Sequence, residues 1–140
     1  MRFWDTSAIV PVLLDEPSSP RTRALADDGT ELAVWWATLV ECVAAISRRE
    51  RHGELDVDQV TLARTTLGAL VSRWTEVPPS DGIRKSAQRM VSVHEIRTAD
   101  AFQLAAALAA SDNEPETVPV VTLDERLAMA AQREGFRVLP

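Results

Sequence analysis

Met1-Arg2-Phe3-Trp4-Asp5-Thr6-Ser7-Ala8-Ile9-Val10 is the stretch on which the reading of this chain turns. Phe3 and Trp4 favour a short strand, Asp5-Thr6-Ser7 is a polar break, and Ala8, Ile9, Val10 and Leu13 then recur with helical spacing. A strand that passes straight into a helix implies a parallel sheet, whose ligands gather beyond the carboxyl ends of the strands. Asp5 stands at that edge.

Working outward, the same alternation repeats. Asp15 to Pro20 is a turn, Arg21 to Asp27 a short helix, and Glu31 to Trp35 a second strand. Thr38-Leu39-Val40-Glu41 has the form of a capping box opening a helix to His52, which Gly53 ends. Asp56 caps the next helix, where Val57, Val60, Ala63, Leu67, Leu70, Val71 and Trp74 keep the spacing of one buried stripe. Trp74 to Val77 reads as a third strand.

Ser80 starts a helix with Ile83, Ala87, Met90 and Val91 on one face, and Thr98 can cap another through Ala110. A loop over Asp112 to Thr117 leads to a strand at Val118 to Thr122. Asp124 then opens a helix to Glu134, and Phe136 to Leu139 is an edge strand. The expected fold is a single α/β domain over residues 1–140, a three-layer α/β/α sandwich with a mostly parallel, doubly wound sheet. The first strand should be central, with the order reversing beside it so that Asp5 and Asp124 emerge into one crevice.

Composition narrows the function. At 140 residues and 46% hydrophobic content the chain is one core-forming domain. Its apolar runs, Ala8 to Leu14 and Leu104 to Ala110, are too short to span a bilayer, and none reads as an export signal. Cys42 is the only cysteine, so no internal disulfide or cysteine zinc cage can form, in keeping with a reducing cytoplasm. A net charge of −6 has the wrong sign for gripping nucleic acid over a broad surface, so any phosphate contact must be local. The basic residues are nearly all arginine, clustered at Arg48, Arg49, Arg51 and at Arg84, Lys85, Arg89, where a solvated helix face competes with phosphate binding.

Glu41, Asp100 and Asp124 all fall at helix starts, where an alternating parallel topology returns them to the edge held by Asp5. Each has an ordinary explanation as a cap or a partner of the helix dipole. Together they imply more: two carboxylates about 5 Å apart repel by roughly 3 kcal/mol at an effective dielectric near 20. With no basic residue beside Asp5 or Glu41, a hard cation is the natural compensator. Oxygen donors favour Mg²⁺ or Mn²⁺, one or two ions, over zinc, for which His52 and His94 are too few and badly spaced.

Several stretches together resemble one family. These are Asp5-Thr6-Ser7-Ala8, Glu41 within its helix, Ile96-Arg97-Thr98-Ala99-Asp100-Ala101 continued by Gln103-Leu104-Ala105, and Thr122-Leu123-Asp124-Glu125-Arg126-Leu127 followed by Ala130-Ala131 and Gly135. The pattern is similar to PIN domains, and among them to the VapC-type toxins of toxin–antitoxin pairs. That resemblance implies a metal-dependent endoribonuclease, commonly a homodimer, neutralised by a VapB-like antitoxin. It carries catalytic and metal-binding roles onto Asp5, Glu41, Asp100 and Asp124, and supporting polar roles onto Thr6, Ser7 and Thr122. Arg97 is a candidate contact to substrate phosphate or antitoxin, with a structural ion pair as the alternative.

Other classes fit less well. A phosphoacceptor domain wants paired acids after the first strand and a lysine after the last, whereas Asp5 stands alone and Lys85 lies within a helix. An aspartyl phosphatase wants a second acid where Ser7 sits. Trp35-Trp36 reads as core plus interface rather than base stacking, and Cys42 as a small core residue. The remaining rival is a PIN-fold interaction module without catalysis.

Overall fold

The computed structural model describes residues 1–140 and places the opening strand at the middle of the sheet. In chain order the strands are β1 (Arg2–Trp4), β2 (Leu32–Trp35), β3 (Trp74–Val77), β4 (Val120–Val121) and β5 (Val138–Leu139). The helices are α1 (Thr6–Leu13), α2 (Ser19–Ala26), α3 (Thr38–Arg51), α4 (Val57–Val71), α5 (Asp81–Val93), α6 (Thr98–Ala110) and α7 (Glu125–Arg133). All strand pairs are parallel, in the order β3-β2-β1-β4-β5. The chain first adds strands on one side of β1 and then on the other, so the reversal falls between β1 and β4, as the alternation predicts.

Alternate residues of each inner strand enter opposite cores. Trp4, Val34 and Val121 pack with α1, α3 and α4, while Phe3, Ala33 and Val120 pack with α5, α6 and α7. Both faces are therefore covered, which accounts for near-continuous apolar strands. On α6, Ala101, Ala105, Ala106 and Ala107 are buried to within 1% of complete. Their small side chains let the helix lie close against α5 and β2.

Local details depart from expectation for identifiable reasons. The second helix begins at Ser19, because Pro20 is tolerated in a first turn that has no N–H bond to lose. The fourth strand shrinks to Val120–Val121, since Pro119 offers no N–H to a ladder, although its carbonyl accepts from Phe3 N at 2.9 Å. Phe136 leaves the last strand and fills the core instead. Val57, at the first turn of α4, is 79% exposed, and Val91 lies off the buried face of α5, so the two stripes are narrower than their spacing suggests.

The capping box expected at Thr38 is absent. Ala37 holds the N-cap position, and the carboxylate of Glu41 turns away to Thr6. Arg97, not Thr98, precedes α6, and its N–H donates to Asp100 Oδ2 at 3.3 Å. The boxes or caps expected from Asp56, Ser80 and Asp124 are present. No helix is long and apolar enough to cross a membrane.

Candidate active site

The parallel ladder continues one step past β1: Asp5 N donates to Val121 O at 3.0 Å, which fixes Asp5 at the carboxyl edge beside β4. Its side chain is 5% exposed by residue and is held from one side only. Ser7 N at 3.2 Å, Ser7 Oγ at 2.5 Å and Thr122 Oγ1 at 3.0 Å all donate to Oδ2, and nothing donates to Oδ1. Ser7 and Thr122 also join the two strand ends, since Leu123 N donates to Ser7 Oγ at 2.9 Å and Asp124 N to Thr122 Oγ1 at 3.1 Å. These two hydroxyls hold Asp5 and the backbone at Leu123 and Asp124 in place.

A second network holds Glu41. Thr6 Oγ1 donates to Oε2 at 3.0 Å, and Gln103 Nε2 lies 3.3 Å from Oε1. The same amide nitrogen is 3.0 Å from Thr6 Oγ1 and 3.3 Å from Thr38 Oγ1. Gln103 thus ties α6 to α1 and α3 beneath the acids, and its Oε1 is buried without a partner. Neither Gln103 nor Thr38 is assigned a site role by the sequence pattern. The available signal is that Gln103 is the one polar residue among the alanines and leucine on the buried side of α6, one turn after Asp100.

The acids act on one another. Burial raises the pKa of Asp5 above the ordinary carboxylate range, opposed by the Ser7 and Thr122 hydrogen bonds, with the charge of Asp100 adding to the rise. Glu41 is raised by burial, and further by the charges of Asp5 and Asp100. Asp100 is raised by burial and by Asp124, against the pull of Arg97 and Arg126. Asp5, Glu41 and Asp100 therefore lie within electrostatic reach of one another and Asp124 within reach of Asp100, and none of the four forms an ion pair. Cys42, fully buried behind Glu41, has its thiol pushed up to about 12 by burial and is inert core.

Three of the acids spend only one oxygen on a neighbouring backbone N–H. Asp5 Oδ2 caps α1 through Ser7 N, Asp100 Oδ2 receives Arg97 N, and Asp124 Oδ1 caps α7 through Leu127 N at 2.8 Å. The other oxygen of each accepts no hydrogen bond from the protein. The capping explanation and the ligand explanation are thus compatible. In charge and donor type the set suits a hard divalent cation. No three of the His, Cys, Asp or Glu side chains are, however, already gathered in an arrangement that could hold an ion.

Arg97 is exposed and without an ion pair, its nearest charged influence being on Asp100. The other arginine clusters divide: Arg49 pairs with Glu16, Arg84 with Asp81 at 2.7 Å and Arg89 with Glu134 at 2.6 Å, while Arg48, Arg51 and Lys85 have no partner. Trp35 is buried and stacks on Phe102 at 5.7 Å between ring centroids, whereas Trp36 is 55% exposed.

A five-stranded, all-parallel sheet whose order reverses beside β1, with helices on both faces, defines the class as a doubly wound α/β domain. The chain belongs to the PIN domain family, whose model matches residues 2–132. It is 29% identical over 138 residues to Ribonuclease VapC45 of Mycobacterium tuberculosis, covering 99% of this chain and 94% of that protein. Among solved structures it is similar to FitAcB from Neisseria gonorrhoeae, with a TM-score of 0.69, 18% identity and coverage of 100% and 97% of the two chains. VapBC2 from Rickettsia felis, solved with a DNA fragment from its promoter, gives a TM-score of 0.65 at 16% identity over 99% and 96%. At these identities the structural likeness is one of fold.

Proposed function

We propose that this PIN domain is an endoribonuclease that hydrolyses RNA phosphodiester bonds with Mg²⁺ or Mn²⁺, and that it is the toxin of a toxin–antitoxin pair. The observation that carries the reading is that Asp5, Asp100 and Asp124 each keep one carboxylate oxygen with no protein donor, and that no basic side chain pairs with them or with Glu41. The similarity to a protein named as a VapC ribonuclease, and the fold shared with VapBC2, support the toxin role. A VapB-like antitoxin, homodimerisation and action in the cytoplasm belong to the same proposal.

Asp5, Glu41, Asp100 and Asp124 would hold the cation. A divalent ion at such an edge supplies activation of a water and neutralises charge on the departing oxygen. Ser7 and Thr122 keep Oδ2 of Asp5 occupied, which would leave Oδ1 to the cation. Thr6 and Gln103 fix Glu41 at both of its oxygens. Arg97, exposed before the first turn of α6 and without an ion pair, would meet substrate phosphate.

One observation favours the rival, an interaction module on the same fold: no three acids stand ready-made around a point. The two readings separate by calorimetric titration of the purified protein with Mn²⁺, paired with cleavage of a mixed RNA pool by wild type and Asp5→Asn. The nuclease reading expects binding, together with cleavage that the substitution abolishes without loss of helical circular dichroism. Equal cleavage by the two proteins, or no cation binding, would defeat it.

A further inference from the structure

A cavity of about 240 Å³ lies between the bend after α5 and the exposed face of α7. It begins at Glu125, the neighbour of Asp124, and runs to Arg133 at the far end of the helix. Arg126, Met129 and Arg133 recur at helical spacing along one wall, while His94 and Glu95 form the other. The His94 side chain is 7% exposed and fixed: its Nε2 is 2.6 Å from Glu134 Oε1, and Arg89 grips that carboxylate at 3.0 and 2.6 Å. Its Nδ1 has no protein partner.

Half of the fourteen arginines have no carboxylate partner, and two of these, Arg126 and Arg133, line this cavity. Seven arginines elsewhere, Arg2, Arg23, Arg49, Arg64, Arg73, Arg84 and Arg89, are paired with carboxylates. Arg126 and Arg133 on one wall, Glu95 on the other and Glu125 at the near end form no ion pair with one another or with the rest of the chain. Both signs of charge therefore remain free toward whatever enters, beside an apolar Met129 and a rigid imidazole. A phosphate alone would find the two carboxylates repulsive, and a cation the two guanidinium groups.

We infer that this cavity is a base subsite that seats a guanine next to the scissile phosphate of the RNA, an assignment that rests on the ribonuclease reading above. Guanine carries N1–H and N2–H side by side, which a carboxylate accepts as a pair, and O6 and N7 side by side, which a guanidinium fork meets. No other RNA base offers both two-pronged edges. Single-stranded RNA is read in this way, through splayed bases recognised on their Watson–Crick and Hoogsteen edges. The carboxylates supply one half, the arginines the other, and the His94 ring part of the floor.

The test uses two readouts on wild type, Glu95→Gln/Glu125→Gln and Arg133→Gln. Binding of guanosine and adenosine monophosphate is measured by calorimetry in chelator, and RNA ends are sequenced after cleavage of a pool randomised around the scissile bond. Wild type is expected to prefer the guanine nucleotide about tenfold and to enrich guanine at one flanking position, and both variants to bring that preference close to unity. Equal binding of the two nucleotides by wild type, or a preference that neither variant moves, overturns the subsite whatever the cleavage assay reads. Guanine-selective binding with no cleavage under Mg²⁺ or Mn²⁺ supports the subsite and counts instead against the ribonuclease reading.

Discussion

Asp5 is the residue at which opposing requirements meet. It is buried, receives three donors on one oxygen, and lies in the field of other carboxylates with no basic partner. Because Asp5, Glu41 and Asp100 all have raised pKa values in the folded chain, their contribution to metal-free stability is greatest below the ordinary carboxylate range. It is lost as pH rises through the raised values. Asp5→Asn removes one charge and retains an acceptor for Ser7, so in chelator at pH 8 its melting temperature should exceed that of wild type by about 3 °C. The gap should close as the buffer is taken to pH 4, where the wild-type acids take up protons. A lower or unchanged melting temperature at pH 8 would show that the lost hydrogen bonds outweigh the relieved repulsion.

Gln103 gives a second expectation at this scale. Gln103→Leu fills the same space but leaves Thr6, Thr38 and Glu41 without their shared donor. Cleavage should fall about tenfold in kcat with KM little changed, since the residue orients an acid rather than touching RNA. A rise in KM alone would assign it to substrate binding. Its part in the site is invisible in sequence because its partners lie 62 to 97 residues away. The acids were legible because each sits at a strand-to-helix junction or in a first helical turn, and those positions can be read locally.

Among elements, α6 is the least tolerant of change. Its alanines are buried between α5 and the sheet, so Ala105→Leu should overpack the contact and destabilise the protein by about 1–3 kcal/mol, read as a shift in the urea midpoint without a change in slope. A neutral result would mean that the helix can move outward at no cost. Helix existence and type could be read from periodicity. Helix faces could not be read as fully: Val57 and Val91 keep the apolar spacing yet are exposed, and spacing along one helix carries no information about which neighbours cover it. The failed capping box at Thr38 has the same origin, because the local partner, Glu41, is drawn off by Thr6 from another helix.

At the scale of the molecule, the sheet order follows from alternation and right-handed crossovers, and the position of β1 at its centre was legible for that reason. Charge sets the manner of substrate binding. With a net charge of −6 and the seven unpaired arginines scattered along the chain, only local phosphate contacts are available. On single-stranded RNA each contact contributes about −0.7 to the slope of log affinity against log salt, so a slope shallower than about −3 is expected by fluorescence anisotropy in chelator. A slope beyond about −5 would require a basic surface that the folded chain does not display.

The half-engaged acids at the sheet edge bear on how such a protein can change over generations. Since Asp5 and Asp124 each start a helix with one oxygen and leave the other without a protein donor, selection for folding and, on the function proposed above, selection for cutting press on the same letters. A descendant relieved of its nuclease task would still need helix starts there, and would drift toward serine, threonine or asparagine at positions 5 and 124 rather than toward any residue at random.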